Sequence, residues 1–336
     1  MRNKAKIILC IAVYAVCLIS AWFWSRYFVI HQTRSLFANN QVSFTCAAAE
    51  NIFSINKFTD NEGNIYQRNH DCIEQMKKKR KADEVVTTFA ESVFPCDHGI
   101  GFVDNWTLYY WADGNRNLIA EHVSDACWDG TGFVWYDRSN NTVMSQTNGA
   151  AKELFHMDPS QLGVPIALLA SEKWVIISPA FTSSGSYRGT FVFNRKSGIL
   201  SSCSMRYDGY DTAFLCEDKL IKIGGNQNTF CVLDLESMDL KNFASDVIAS
   251  QGTVTASAAY DKGKHVFYVS VYSKPELPEF YRINSGTYEI DLENNTIQKL
   301  NARYYYMLCF NEKNQQLYGA KNILGFQLIC RLKQQR

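Results

Sequence analysis

The chain has 336 residues, 46% of them hydrophobic and 14% aromatic, with 34 basic against 33 acidic side chains and a formal net charge of +1. That length and apolar fraction support a full-sized core and exclude a disordered tail. Beyond residue 34, 29 basic residues face 33 acidic ones, which excludes the basic face that nucleic-acid binding requires.

Arg2, Lys4 and Lys6 lead into Ile7–Ser25, 19 residues without a charge. At about 1.5 Å per residue, such a helix approaches the roughly 30 Å hydrocarbon core of a bilayer. No acidic residue precedes position 35, and Trp22, Phe23, Trp24, Tyr27 and Phe28 crowd the far end as an interfacial aromatic belt does. The pattern predicts a basic cytoplasmic tail over 1–6 and a transmembrane anchor over 7–25. The protein is then expected in the cell membrane, single-pass, with the large C-terminal domain extracytoplasmic by the positive-inside tendency. A cleaved signal with Ile19-Ser20-Ala21 before the cut is one alternative, although it would leave Trp22-Phe23-Trp24 at the new terminus. A buried core helix is the other. Cys10 and Cys17 fall on one helix face, as small apolar residues in lipid or as a dimer or lipid-attachment point.

Residues 26–98 read as a juxtamembrane stalk. Phe44-Thr45-Cys46 and Ile52–Ile55 form weak strands before a polar turn at 60–64, and Ile73, Met76, Val86, Phe89, Ala90 and Val93 recur at helical spacing, predicting one or two short helices. Lys77–Lys81, flanked by Glu74, Asp83 and Glu84, reads as a solvated helix face, with contact to acidic headgroups or wall polymers as the sharper reading.

From residue 99 the pattern has period two, with turn residues every eight to twelve positions, so 99–336 is expected to be an all-β domain. A unit recurs: Phe133-Val-Trp-Tyr-Asp137, Phe191-Val-Phe-Asn194, Phe230-Cys-Val-Leu-Asp234 and Tyr288-Glu-Ile-Asp291 each precede a polar turn and a short second strand. Asp or Asn supplies the turn chemistry. The turn positions lie 57, 40 and 57 residues apart, and forty residues is the size of a four-stranded propeller blade. Phe181–Arg188 and Ser273–Arg282 then read as insertions. This part of the chain resembles the WD40-like and TolB-like β-propeller group in the strand pairs Phe230–Leu240 and Tyr288–Leu300. The resemblance implies about six blades, with Asp137, Asn194, Asp234 and Asp291 all at outer hairpins, and a strand from before residue 99 closing the last blade. No Gly-His…Trp-Asp signature stands in register. A β-sandwich is the alternative architecture.

Nine cysteines follow the apolar segment, with no C-x-x-C spacing. Cys231 and Cys330 lie in apolar strands and are expected as buried free thiols; any disulfide is expected among Cys46, Cys72 and Cys96. The sequons at Asn105, Asn140 and Asn294 matter only in a eukaryote. The histidines lie far apart, with Asp97-His98 and Asp208–Asp211 the best places to seek a metal or general base. No nucleophile elbow, phosphate loop or dinucleotide motif is present, and no cofactor or metal is assigned. The aromatic excess between 106 and 136 carries the candidate site: Trp106, Trp111, Trp128 and Trp135 offer flat apolar faces with polar edges, suited to sugar rings or peptide unless they pack between blades. The expected function is binding of a protein or glycan ligand without catalysis; a propeller enzyme acting on carbohydrate or peptide, or an envelope assembly scaffold, is the alternative.

Overall fold

The computed structural model describes residues 2–37, 43–44, 56–59, 62, 64–69, 72–75, 83–86, 92–158, 166–179, 189–205, 211–224, 229–244, 253–261, 263–273, 286–302, 305, 307–311, 315–323 and 326–332. Among the described residues, the helix α1 (Arg2–Phe37) is followed by a two-residue strand, β1 (Ser43–Phe44), and then by strands and their turns. The first sheet joins β2 (Asn56–Thr59), β3 (Ile65–Asn69), β4 (Cys72–Gln75) and β5 (Asp83–Val86). The second joins β6 (Ser92–Pro95), β7 (Ile100–Asp104), β8 (Thr107–Ala112) and β9 (Asn115–Glu121). The third joins β10 (Val123–Trp128), β11 (Phe133–Asp137), β12 (Thr142–Thr147) and β13 (Ala150–His156). The fourth joins β14 (Ile166–Ala170), β15 (Trp174–Pro179), β16 (Thr190–Asn194) and β17 (Ile199–Cys203). The fifth joins β18 (Asp211–Cys216), β19 (Lys219–Gly224), β20 (Thr229–Asp234) and β21 (Leu240–Ala244), with β1 added beside β18. The sixth joins β22 (Thr253–Asp261), β23 (Val266–Ser273), β24 (Gly286–Asp291) and β25 (Thr296–Asn301). The seventh holds β26 (Met307–Asn311), β27 (Gln316–Ile323) and β28 (Phe326–Leu332).

Neighbouring strands are antiparallel, and each sheet is consecutive in the chain apart from β1. First strands touch across sheets, β6 to β10, β10 to β14, β14 to β18 and β22 to β26, while fourth strands such as β9 and β13 are mostly exposed. The first strands therefore ring an axis and the fourth strands form the outside, which is a β-propeller. Among the described residues, six sheets have four strands or more, close to the expected six blades, and residues 56–86 supply a sheet in addition to those expected from 99 onward.

Core packing follows from the strand period. In β23, Phe267, Val269 and Val271 turn toward the fifth sheet, while Val266 and Tyr268 turn toward the seventh. In β11, Val134 and Tyr136 face the fourth sheet, and Phe133 and Trp135 face the second. Each of the six apolar clusters joins two consecutive sheets in this way. A blade buried on both faces reads as a continuous apolar run, and each fully buried side chain such as Phe267 contributes about 1.5–3 kcal/mol. Paired face-packed sheets, the β-sandwich alternative, are not what these seams form.

Several expectations are corrected. Among the described residues no helix is long and apolar enough to cross a membrane. The anchor over 7–25 and the single-pass cell-membrane location, with its cytoplasmic tail and extracytoplasmic domain, are therefore withdrawn. The stretch read as stalk and short helices holds β2–β5, with helix-like spacing at Ile73 and Val86 arising from two paired strands. The run Lys77–Lys81 lies outside the described residues, as do Phe181–Arg188 and Asp208–Tyr210. Finally, the early strand β1 joins β18 and not the seventh sheet; β28 is flanked by α1.

Candidate functional site on the hairpin rims

In an up-and-down sheet, the hairpins after the first and third strands share one rim. Those after the second strand, with the links between sheets, share the other. The first rim is ionic. Asp129, after β10, accepts at Oδ1 from the Thr131 and Gly132 amides, both at 2.8 Å, and from the Thr131 hydroxyl at 2.9 Å. Its other oxygen pairs with Arg195, after β16 of the next sheet, which also donates to the Ser171 carbonyl at 2.9 Å and to Ser145 Oγ at 3.3 Å. Burial alone would raise the Asp129 pKa, but the Arg195 and Thr131 hydrogen bonds outweigh it and hold the carboxyl below its usual range. Further along, Lys173 meets Asp218 at 2.9 Å and pairs with Glu236, both of the fifth sheet, and Trp174 Nε1 donates to Asp218 at 2.7 Å.

His98 closes the first seam. Its Nδ1 lies 2.8 Å from Glu62 of the first sheet, and its Nε2 lies 3.0 Å from Asp113 after β8. Ionised carboxylates only accept, so both ring nitrogens must carry protons; the Glu62 hydrogen bond first, then that of Asp113, raises the His98 pKa. The Asp97-His98 pair flagged in the sequence is thus an inter-sheet clamp, and Asp97 accepts from Trp128 Nε1 at 3.3 Å. Among the described residues no group of three or more His, Cys, Asp or Glu is disposed to hold a metal ion.

The other rim carries a different feature. Asn105 and Trp106 link β7 to β8 with φ of 49° and 60°. Two successive positive φ values make a type I′ hairpin, in which Asn suits the first place and Gly the second. Trp106 occupies the glycine place and is 37% exposed. Its carbonyl accepts from the Val123 amide at 2.8 Å, which ties the turn to the start of β10. The Arg138 guanidinium, from the β11–β12 turn, sits 4.2 Å from the Trp106 ring centroid. The exposed His122, itself at φ 60°, accepts at its carbonyl from the Arg138 amide at 2.9 Å. Three consecutive connections thereby converge on one exposed aromatic–cation pair.

The four tryptophans singled out in the sequence do not share a surface. Trp111 and Trp135, each 4% exposed, fill inter-sheet seams. Trp128 packs edge-on against Phe133, centroids 5.0 Å apart, at the ionic rim. Trp106 stands at the opposite rim. Arg138 and His122 carried no sequence motif; the signal available was a Trp in the second place of a two-residue turn between alternating runs. Of the thiols, Cys96 and Cys231 are buried, Cys330 is half-buried and none of the three is in a disulfide, while Cys46 and Cys72 lie outside the residues whose side chains are described.

The architecture is similar to that of a chain in the mitotic checkpoint complex, with TM-score 0.51 and 9% identity over 89% of this chain and 95% of that chain. This chain is a β-propeller. The β-propeller domain of Cps50 (Swd1) from Myceliophteria thermophila matches at 12% identity over 83% of this chain and 97% of that chain, with TM-score 0.49. At such identities the likeness concerns the fold. No protein-family model matches the sequence, and no curated protein matches it.

Proposed function

We propose that this propeller is a non-catalytic binding module that docks a protein partner on the rim carrying Trp106 and Arg138. The observation that supports this reading most directly is Trp106 itself. A bulky residue in the left-handed region costs on the order of 1–3 kcal/mol and persists where the surroundings hold it there, typically at ligand contacts. Tryptophan and arginine are the residue types that dominate interface energetics, and here they form one exposed pair over a rigid double hairpin. Trp111 and Trp135 pack in the seams between the second sheet and its neighbours, and Trp128 lies at the opposite rim, so the reading rests on Trp106 alone of the four. The propeller architecture offers a rim of this kind for protein contact.

A photo-crosslinking residue placed at Arg138 tests the proposal against the same residue placed at Leu118, exposed on the outer strand β9. Discrete crosslinked protein species are expected from position 138, weakened by Trp106→Gly and absent from position 118. Identical patterns from both positions would remove the site. Glycan-array binding that depends on Trp106, with no protein crosslink, would replace the protein partner with a sugar.

A further inference from the structure

The Trp106–Arg138 pair has a counterpart on the opposite rim that already holds an acid. There Lys173 Nζ lies 5.3 Å from the Trp174 ring centroid, and both residues turn their donors to one carboxylate of the next sheet. Lys173 Nζ meets Asp218 Oδ1 at 2.9 Å, and Trp174 Nε1 donates to the same oxygen at 2.7 Å. Trp128 Nε1 likewise donates to Asp97.

At the Trp106 pair that acid is missing. Among the described residues, the exposed Arg138 guanidinium stacks on the Trp106 ring but meets no carboxylate and donates no hydrogen bond, and Trp106 Nε1 donates to no group. Arg116, Arg195, Lys219 and Lys264, by contrast, each meet an acid of this chain. The neighbouring acids do not take the place. Asp137 directs its oxygens to Ser139 and Asn140, and the exposed Glu121 makes no ion pair among the described residues. The free polar groups of the pair, guanidinium N–H and indole N–H, only donate. Their complement is a group that only accepts, as an ionised carboxylate does.

We infer that the partner docked on this rim presents an Asp or Glu carboxylate to Arg138 and Trp106, in the role that Asp218 plays beside Lys173 and Trp174. The inference rests on the reading of this rim as a protein-docking site and names what the partner carries there. Stacking on Trp106 fixes the long arginine side chain before the partner arrives, so little rotamer entropy is left to lose. The planar fork then holds both carboxylate oxygens. Lysine at position 138 keeps the charge and loses the fork, which separates recognition from general attraction.

The test titrates the full-length protein with fluorescein-labelled Leu-Glu-Leu amide and with its Gln and phosphoserine counterparts, followed by fluorescence anisotropy. The Glu peptide should bind at least about fivefold more tightly than the Gln peptide, and its affinity should fall with added salt. Arg138→Lys and Trp106→Gly should each weaken it at least about fivefold, while Lys152→Gln, an exposed cation lost from the outer strand β13, should not. Equal binding of the Glu and Gln peptides, binding of neither, or full affinity in Arg138→Lys overturns the inference. A preference of about tenfold for phosphoserine over Glu also overturns it, by reassigning the site to a phosphoryl group. Crosslinking from position 138 tells the two readings apart. Protein crosslinks without Glu selectivity remove the carboxylate and keep the docking site; Glu selectivity without protein crosslinks removes the protein partner and keeps the carboxylate.

Discussion

Arg195 of the fourth sheet reaches across a seam to Asp129 of the third, and the acid it meets is 1% exposed while its own side chain is 17% exposed. The pair is therefore a desolvated tie between blades and not a surface decoration. The same guanidinium also holds the Ser171 carbonyl and Ser145 Oγ, so one side chain ties the turns at Asp129 and Ser171 to strand β12.

Removing that side chain leaves a buried carboxylate whose second oxygen has lost its cation. Arg195→Met should cost about 3 kcal/mol of unfolding free energy, the scale for breaking a buried pair from one side. Asp129→Asn should cost less, because Asn retains an oxygen for the Thr131 and Gly132 amides. The double variant should be less unstable than the sum of the two, with a coupling of about 1–3 kcal/mol. Urea midpoints at constant m-value measure all three; additive losses would show that the two residues act separately.

Asp125 sets a pH dependence. It lies on the axial strand β10, accepting at 2.9 Å from the Ala126 amide and at 2.8 Å from the Leu168 amide of the next sheet. Burial dominates over these bonds and pushes its pKa up to about 7. Its unfolded value is about 3.9. Between those values the native state holds a proton that the unfolded chain has released, so stability falls as pH rises from about 4 to about 7, by at most about 1.4 kcal/mol per pH unit. Asp125→Asn carries no such proton, and its stability curve should be flatter across that window. Parallel curves for the two proteins would place the titration elsewhere.

How much of this was legible beforehand depends on the length scale of each signal. Short apolar runs bounded by turn residues marked the strands, and because each blade buries both faces the run Val266–Val271 is buried at every position and shows no alternation. The turn chemistry was also real. Asp234 accepts from the Glu236 and Ser237 amides at 3.1 and 3.0 Å, and Asp291 from those of Glu293 and Asn294 at 2.9 and 2.8 Å. Asp137 makes the same contacts with Ser139 and Asn140, at 2.8 and 3.4 Å. Yet Asn194, Asp234 and Asp291 follow third strands, and Asp137 follows a second strand, on the other rim. A four-residue turn has one local solution wherever it occurs, so equal turns did not mean equal places, and the repeat over the four positions fails at Asp137. Long-range pairings such as Arg195 with Asp129 leave no local trace, and the sheet at 56–86 was obscured by short strands with polar turns.

His98 gives a second, separable titration. Its pKa is raised, so its contribution is present in full below the unfolded value of about 6.5 and is lost as pH rises through the folded one. Because its side chain is 41% exposed and its partners more so, the contribution should stay below about 1 kcal/mol. An NMR titration of the His98 ring should report a pKa above that of a free histidine, and Glu62→Gln should lower it. A normal pKa unaffected by Glu62→Gln would mean that the clamp does not form in solution.

Trp106→Gly separates stability from binding. Glycine is the residue that the second place of a type I′ turn favours, so the substitution relieves a left-handed tryptophan at φ 60°. It also removes the stacking with Arg138, a contact of about 0.5–1 kcal/mol at an exposed site. The two effects oppose each other, and strain relief on the order of 1 kcal/mol or more should leave the fold as stable as the parent or up to about 1 kcal/mol more stable. Trp106→Ala loses the same contact and keeps the strained turn, so it should be the less stable of the two. Thermal unfolding ranks the three proteins, and the crosslinking yield from position 138 follows binding in parallel. A residue kept for packing would give a destabilised glycine variant. A residue kept for contact gives a stable one with diminished crosslinking, and that combination is the expected result.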